Sequence, residues 1–152
     1  MAIATKHLLE QGERVLVLDL DIHHGCGTEE LLEEEKNAHI ISLYQQGIWP
    51  GDKHYTFAAN CTHLPIEGTV DDKRYLNILR EQVLPEIDAW NPTRIGVSLG
   101  FDTFIGEQFG WNLTAETIRT IKKMLKERST FAILEGGYTP SAVRAGIEAL
   151  IE

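Results

Sequence analysis

The sequence predicts an α/β domain, a parallel sheet with helices on both faces. Two observations predict it. Short apolar runs rich in Val, Leu and Ile alternate with segments of helical pattern along the whole chain. The runs are apolar throughout rather than alternating with polar residues, as strands covered on both faces are. No linker, repeat or low-complexity tract interrupts the alternation, so residues 1–152 are read as a single domain.

Residues 2–11 read as a helix with Ile3, His7 and Leu8 on its apolar face, stopped by Gly12. Arg14–Leu20 follows as a buried strand. Thr28 is placed to cap a helix through the Glu-rich segment, and Glu29, Glu30, Glu33, Glu34 and Glu35 read as its solvated face. Ala38–Leu43 is the next strand. Residues 45–70 carry Gly47, Pro50, Gly51, Pro65 and Gly68 and read as loop with a short strand at His63–Ile66. Residues 71–90 are helical, with Pro85 kinking or restarting the helix. Arg94–Leu99 and Thr130–Leu134 are strands, and Thr114–Glu127 a helix between them. Thr139 stands before Pro140 as a cap before a first-turn proline, and the last helix runs from there.

Composition narrows the function classes. The chain is 43% hydrophobic and 24% charged, ordinary for a globular domain. Its net charge of −9 argues against direct nucleic-acid binding, which needs clustered Lys and Arg, and suits a cationic substrate or partner. No apolar run approaches membrane-spanning length, and the start is too polar for a secretory leader; a cytoplasmic setting is the expectation. On that expectation, the acceptor patterns at Asn60 and Asn112 are chance matches. Cys26 and Cys61 make no disulfide framework and no Cys-x-x-Cys.

Ligands of open parallel sheets bind beyond the carboxyl ends of the strands. Three such ends carry polar or glycine-rich clusters: Asp19-Leu-Asp-Ile-His-His-Gly-Cys-Gly-Thr, Gly100-Phe-Asp-Thr and Glu135-Gly-Gly-Tyr. In extended backbone Asp19, Asp21 and His23 share a face. Two carboxylates crowded at the end of an apolar strand need a compensating cation. One imidazole and two carboxylates suit zinc, with Asp102 as the natural third ligand beside Asp21 and His23. Each residue also has a plainer reading: an Asp as cap or turn residue, a His as a structural group. Tyr138, after Gly136 and Gly137, stands where a hydroxyl meets a developing oxyanion or, equally, where an aromatic packs on a surface turn.

Together Leu18–Thr28, Ser98-Leu-Gly-Phe-Asp, Gly110-Trp-Asn-Leu-Thr and Leu134-Glu-Gly-Gly-Tyr resemble the histone deacetylase and acetylpolyamine amidohydrolase superfamily, in order and spacing, over nearly the whole chain. The resemblance implies an arginase/deacetylase-like fold, truncated at the N-terminus, with Zn²⁺ (or another divalent ion) on Asp21, His23 and Asp102. It implies that Tyr138 stabilises the oxyanion and that Asp19 orients a catalytic histidine. It implies a structural K⁺ ion held by Asp19, Asp21, His23, Ser42 and Leu43. Trp49 matches an aromatic lining the acyl tunnel, and Gly136 and Gly137 match the stretch against which substrate lies. Cys26 stands where the family has Asp or Asn, and Tyr44 where many members have His. The family's tandem histidine base lies upstream of the first helix matched here, and His23-His24 cannot replace it because His23 is a ligand. The expectation is a zinc-dependent deacetylase of acetyl-lysine or acetylpolyamine-type substrates, in a truncated or degenerate form with weak or no activity. A surface left open by the upstream segment is expected to favour homo-oligomers. Two further readings remain: a non-catalytic metal- or partner-binding module, and, remotely, a haloacid-dehalogenase-like phosphatase built on Asp19-x-Asp and Ser98, against which His23 is a poor magnesium ligand.

Overall fold

The computed structural model describes residues 1–51, 58–109 and 111–152. Five strands form one parallel sheet: β1 (Val15–Asp19), β2 (Ala38–Gln45), β3 (Cys61–Ile66), β4 (Arg94–Leu99) and β5 (Thr130–Leu134), in the order β3-β2-β1-β4-β5. Every residue of β1 is buried, as its unbroken apolar run requires. The pleat sends Leu16 and Leu18 into the larger core and Val17 into a smaller one with Ala2, Leu32 and Ile40. Helices α1 (Ala2–Glu10) and α2 (Cys26–Leu32) cover the smaller core. Helices α3 (Asp72–Ile78), α4 (Leu84–Trp90), α5 (Ala115–Leu125) and α6 (Pro140–Ile151) cover the larger. The predicted three layers are therefore present. Among the described residues no helix is long and apolar enough to cross a membrane.

Several element details differ from the expectation. The buried residues of α1 are Ala2 and Thr5, whereas Ile3 is 87% exposed: small residues face the sheet because the helix lies close to it. Helix α2 begins at Cys26, so Thr28 lies inside the helix and caps nothing. The Glu-rich run is not wholly a solvated face either, since Glu29 is buried. Pro85 stands in the first turn of α4, where the helix restarts as expected. A π-helical stretch, Leu79–Val83, joins α3 to α4, and a widened turn accommodates a proline that has no N–H to donate. Asp71 caps α3 by accepting from Arg74 N at 2.8 Å. Thr139 precedes Pro140 as expected, but its hydroxyl makes no capping bond. Residues 52–57 of the expected 45–70 loop, and Gly110 of the Gly110–Thr114 motif, lie outside the described residues.

The topology positions the site. From β1 the chain winds outward through β2 to β3, then returns to the other side of β1 as β4 and β5. The reversal falls between β1 and β4, where the register pairs Asp19 with Ser98. On the far side of β4, Leu99 pairs with Leu134. Three neighbouring strands thus end in line and release the three polar clusters along one edge, at the switch point where ligands of open α/β sheets bind.

Candidate metal centre

Beyond Asp19 the chain leaves β1 in a tight turn held by its own carboxylates. Asp19 Oδ1 accepts from Asp21 N at 3.1 Å, and Asp21 Oδ1 accepts from His23 N at 2.8 Å. These bonds point His23 Nδ1 toward Asp21 Oδ1, 3.1 Å away, and Asp102 Oδ2, 3.3 Å away. Asp102 comes from the single 3₁₀ turn Phe101–Thr103 that follows β4, and Thr103 Oγ1 closes the turn by donating to Gly100 O. Its Oδ1 accepts from Ile22 N at 3.3 Å, which ties the two strand ends together. From the end of β5, Gly136 N donates to Asp21 Oδ2 at 2.9 Å. Ligand atoms of Asp21, His23 and Asp102 all lie within 4.8 Å of one another.

Glycine is required beside this cluster. A Cβ on Gly136 would overlap the carboxylates of both Asp102 and Asp21. Gly137 has φ +120°, and a Cβ there would sit 2.9 Å from Phe101 Cβ. The Glu135-Gly-Gly segment is thus the close-packed third wall of the cluster.

The electrostatics are those of several carboxylates gathered around one imidazole. Burial pushes Asp19 up to about 8, helped by the charges of Asp21, Glu135 and Asp102 and opposed by its hydrogen bond from Asp21 N. Burial also raises Asp102, with the neighbouring Asp21 charge, against the hydrogen bond from His23. Burial acts on Asp21 too, but hydrogen bonds from His23 and Gly136 outweigh it and hold that carboxyl low. Hydrogen bonds to Asp102 and Asp21 raise His23 to about 9 despite burial. Asp102 Oδ2 is buried and faces His23 Nδ1 at 3.3 Å. A buried carboxylate oxygen facing an imidazole nitrogen and a second carboxylate is the donor set of a zinc site, and the residues present fit that ion.

The cluster opens into a cavity of about 610 Å³. Its lining includes Asp19, Asp21, His23, Trp49, Gly136 and Tyr138 among the sequence-predicted residues. Trp49 is 68% exposed and Tyr138 74% exposed, so both stand at the rim. Gly137 lies behind the cavity wall, against Phe101. Ser42 and Leu43 are buried on β2, where Ser42 pairs with Asp19 across the ladder, and the Ser42 hydroxyl lies 3.3 Å from His24 Nδ1. Two lining residues were not anticipated. Phe109 packs its ring edge-on against His23, with centroids 4.5 Å apart, and Gln108 precedes it. The signal available was only an aromatic just ahead of the Gly110–Thr114 motif. Within that motif Trp111 is core rather than site: it is buried and its Nε1 donates to Gly68 O. Ser98 is also on the cavity wall, where its hydroxyl donates to Glu135 Oε1 at 2.9 Å and is not free to serve a phosphatase.

The comparisons with known proteins agree on one family. The sequence profile of the histone deacetylase domain matches residues 1–152. Histone deacetylase 15 of Arabidopsis thaliana is 32% identical over 158 residues, which cover 92% of this chain and 28% of that protein. A probable deacetylase of Archaeoglobus fulgidus is 28% identical, over 91% of this chain and 43% of its own length. The crystal structure of the HDA15 HD domain superposes with a TM-score of 0.87 at 30% identity, covering 98% of this chain and 48% of that one. The fold is shared as well by the histone deacetylase Clr3, with a TM-score of 0.90 at 24% identity. The chain spans about half or less of the length of these relatives. With the arginase/deacetylase architecture matched over its full extent, the chain belongs to the histone deacetylase domain family.

Proposed function

We propose that this chain forms the metal-binding part of a zinc-dependent amide hydrolase for acetylated amines, with acetyl-lysine peptides and acetylpolyamines as the substrate class. One observation carries the reading. Asp21, His23 and Asp102, delivered by two strand ends, converge beside an open cavity, with Asp102 Oδ2 buried and facing His23 Nδ1. The chemistry that bound zinc supplies is Lewis-acid polarisation of an amide carbonyl. Asp21, His23 and Asp102 hold the ion, or another divalent cation in its place. The Tyr138 hydroxyl donates to the carbonyl oxygen as negative charge builds on it. Trp49 and Phe109 flank the acyl chain and exclude water, and Gly136 and Gly137 keep that wall thin. Asp19 positions the loop through its bond to Asp21 N. Backbone oxygens of Asp19, Asp21, His23 and Leu43, with Ser42, are assigned to a structural potassium ion, a reading supported by the Asp19–Ser42 pairing. The acidic lining and the net charge of −9 favour a cationic amine.

Turnover by this chain alone is expected to be weak. Besides His23, the imidazole on the cavity wall among the described residues is His24, and it is engaged by Ser42 and Glu29. A missing general base typically costs about 10²–10⁴-fold. The same observation favours the second reading, a metal-binding module that turns nothing over. Zinc content and deacetylation of an acetyl-lysine peptide and an acetylpolyamine, compared between wild type and Asp102→Asn, test both. Loss of the ion and of residual turnover in Asp102→Asn supports the hydrolase. Zinc bound by the wild type with no turnover on either substrate supports the module. Wild-type zinc binding that Asp102→Asn leaves untouched overturns the site. Self-association through the sheet edge at β5 belongs to this reading as well.

A further inference from the structure

Tyr138 is the proposed oxyanion donor, yet packing does little to fix its ring, which is exposed at the cavity rim. Its placement falls to the backbone. On one side the segment is pinned at Gly136, whose N donates to Asp21 Oδ2 at 2.9 Å and whose O accepts from Phe101 N at 2.9 Å. Gly137 follows with φ +120°, a conformation open to glycine, so the chain can pivot there. Beyond that pivot the next anchor is Glu107. Its Oε1 accepts from Tyr138 N at 3.0 Å and from Thr139 N at 2.7 Å.

The position calls for an acid. Thr139 opens the 12-residue helix α6, but its hydroxyl makes no capping bond and the first turn of α6 holds no acidic residue. A helix start presents backbone N–H groups and partial positive charge, and Glu107 brings from elsewhere the carboxylate that the helix's own first turn lacks. Glu107 stands 31 residues before Tyr138, half-buried in a tight turn where its N donates to Phe104 O at 3.2 Å and Gly106 takes φ +93°. The same turn carries Phe109, whose ring meets His23 edge-on, and Gln108, on the cavity lining. One carboxylate oxygen therefore ties the aromatic wall of the cavity to the tyrosine wall.

We propose that Glu107 is the positioning residue for Tyr138: by holding the amides of Tyr138 and Thr139 it keeps the tyrosine hydroxyl turned to the bound carbonyl. The proposal rests on Tyr138 being the oxyanion donor, as set out under the proposed function. Glu107 acts through the backbone of Tyr138 rather than on the reacting atoms. A glutamine in its place keeps an acceptor oxygen within reach of both amides, whereas an alanine keeps none. Once released, Tyr138 turns about Gly137 and its hydroxyl spends less time at the carbonyl.

Two measurements on the zinc-loaded chain test it, and neither needs turnover. Amide hydrogen exchange read by NMR follows Tyr138 and Thr139 directly. Calorimetric binding of octanohydroxamic acid, a zinc-chelating ligand with a carbonyl for the Tyr138 hydroxyl, reads where that hydroxyl stands. In Glu107→Ala the two amides are expected to exchange about tenfold faster and the hydroxamate to bind about tenfold more weakly, while Glu107→Gln stays within about twofold of wild type on both. In a Tyr138→Phe background Glu107→Ala should weaken the hydroxamate no further. Zinc content and circular dichroism are expected to match wild type throughout; if Glu107→Ala does not fold, Glu107→Asp, whose shorter side chain withdraws the oxygen, replaces it. Wild-type hydroxamate affinity in Glu107→Ala, where Tyr138→Phe weakens it, overturns the proposal and leaves the proposed function standing. So does a loss in Glu107→Ala that persists undiminished in the Tyr138→Phe background. An affinity that Tyr138→Phe leaves unmoved, or a wild type that binds no zinc, marks the failure of the proposed function itself, and the positioning role falls with it.

Discussion

Glu29 shows at the scale of one residue how burial and charge combine. Its carboxylate is buried, which alone would favour the neutral acid, but hydrogen bonds from His24, His63 and Ala58 N hold its pKa down to about 2. The folded value lies below the ordinary glutamate value of 4.5, so the stabilisation is present above about pH 4.5 and is lost as pH falls toward 2. A shift of that size corresponds to about 3 kcal/mol. For the metal-free protein, urea unfolding followed from pH 7 to pH 2 is expected to show this loss in its lower half. Glu29→Gln should flatten that part of the curve and lower stability at pH 7 by a comparable amount. An unchanged profile in the variant would show that Glu29 does not stabilise the fold through its charge. Nothing in the sequence announced this role, because the partner His63 stands 34 residues away on a separate strand.

Helix α6 bears on the candidate metal centre through Phe101. Gly146 lies on its buried face, and a Cβ there would overlap the ring of Phe101, the residue before Asp102. Gly146→Ala is expected to displace that ring, cost about 1–3 kcal/mol by overpacking, and weaken zinc binding; thermal unfolding and calorimetric titration measure the two effects. Wild-type zinc affinity in a destabilised Gly146→Ala would show that the helix supports the fold alone. Elements such as β1 and β4 were legible because continuous apolar runs admit few other interpretations. The convergence of Asp21, His23 and Asp102 was legible because both motifs fall just beyond the ends of neighbouring strands. The buried face of α1, the start of α2 and the π-helical passage into Pro85 were not legible. Each is decided by contacts with distant elements, and local propensity leaves them open. Phe109 escaped for the same reason, since its meeting with His23 joins residues far apart in the chain.

For the molecule as a whole, β5 is the sheet's exposed flank. It is an edge strand, Leu134 is 50% exposed, and an apolar groove of about 470 Å³ runs beside it between Leu99, Ile118, Ile121, Leu125 and Phe131. Unpaired strand backbone flanked by apolar surface favours pairing with another strand. The chain is expected to self-associate through this edge as concentration rises, with β5 of one copy against β5 of another. Light scattering coupled to size exclusion should show the shift, and Leu134→Lys should suppress it. A monomer at every concentration would remove the edge from consideration as an interface.

The bond from Ile22 N to Asp102 Oδ1 joins positions 80 residues apart. The three proposed zinc ligands therefore come together only once the central strands are assembled, and an unfolded chain offers an ion no comparable cage. Occupancy and foldedness are then a single linked equilibrium: each tenfold rise in free zinc above its dissociation constant should add about 1.4 kcal/mol to the folded state. On the proposed zinc reading, the protein's melting temperature should climb with the logarithm of the ion's concentration and drop when a chelator is added.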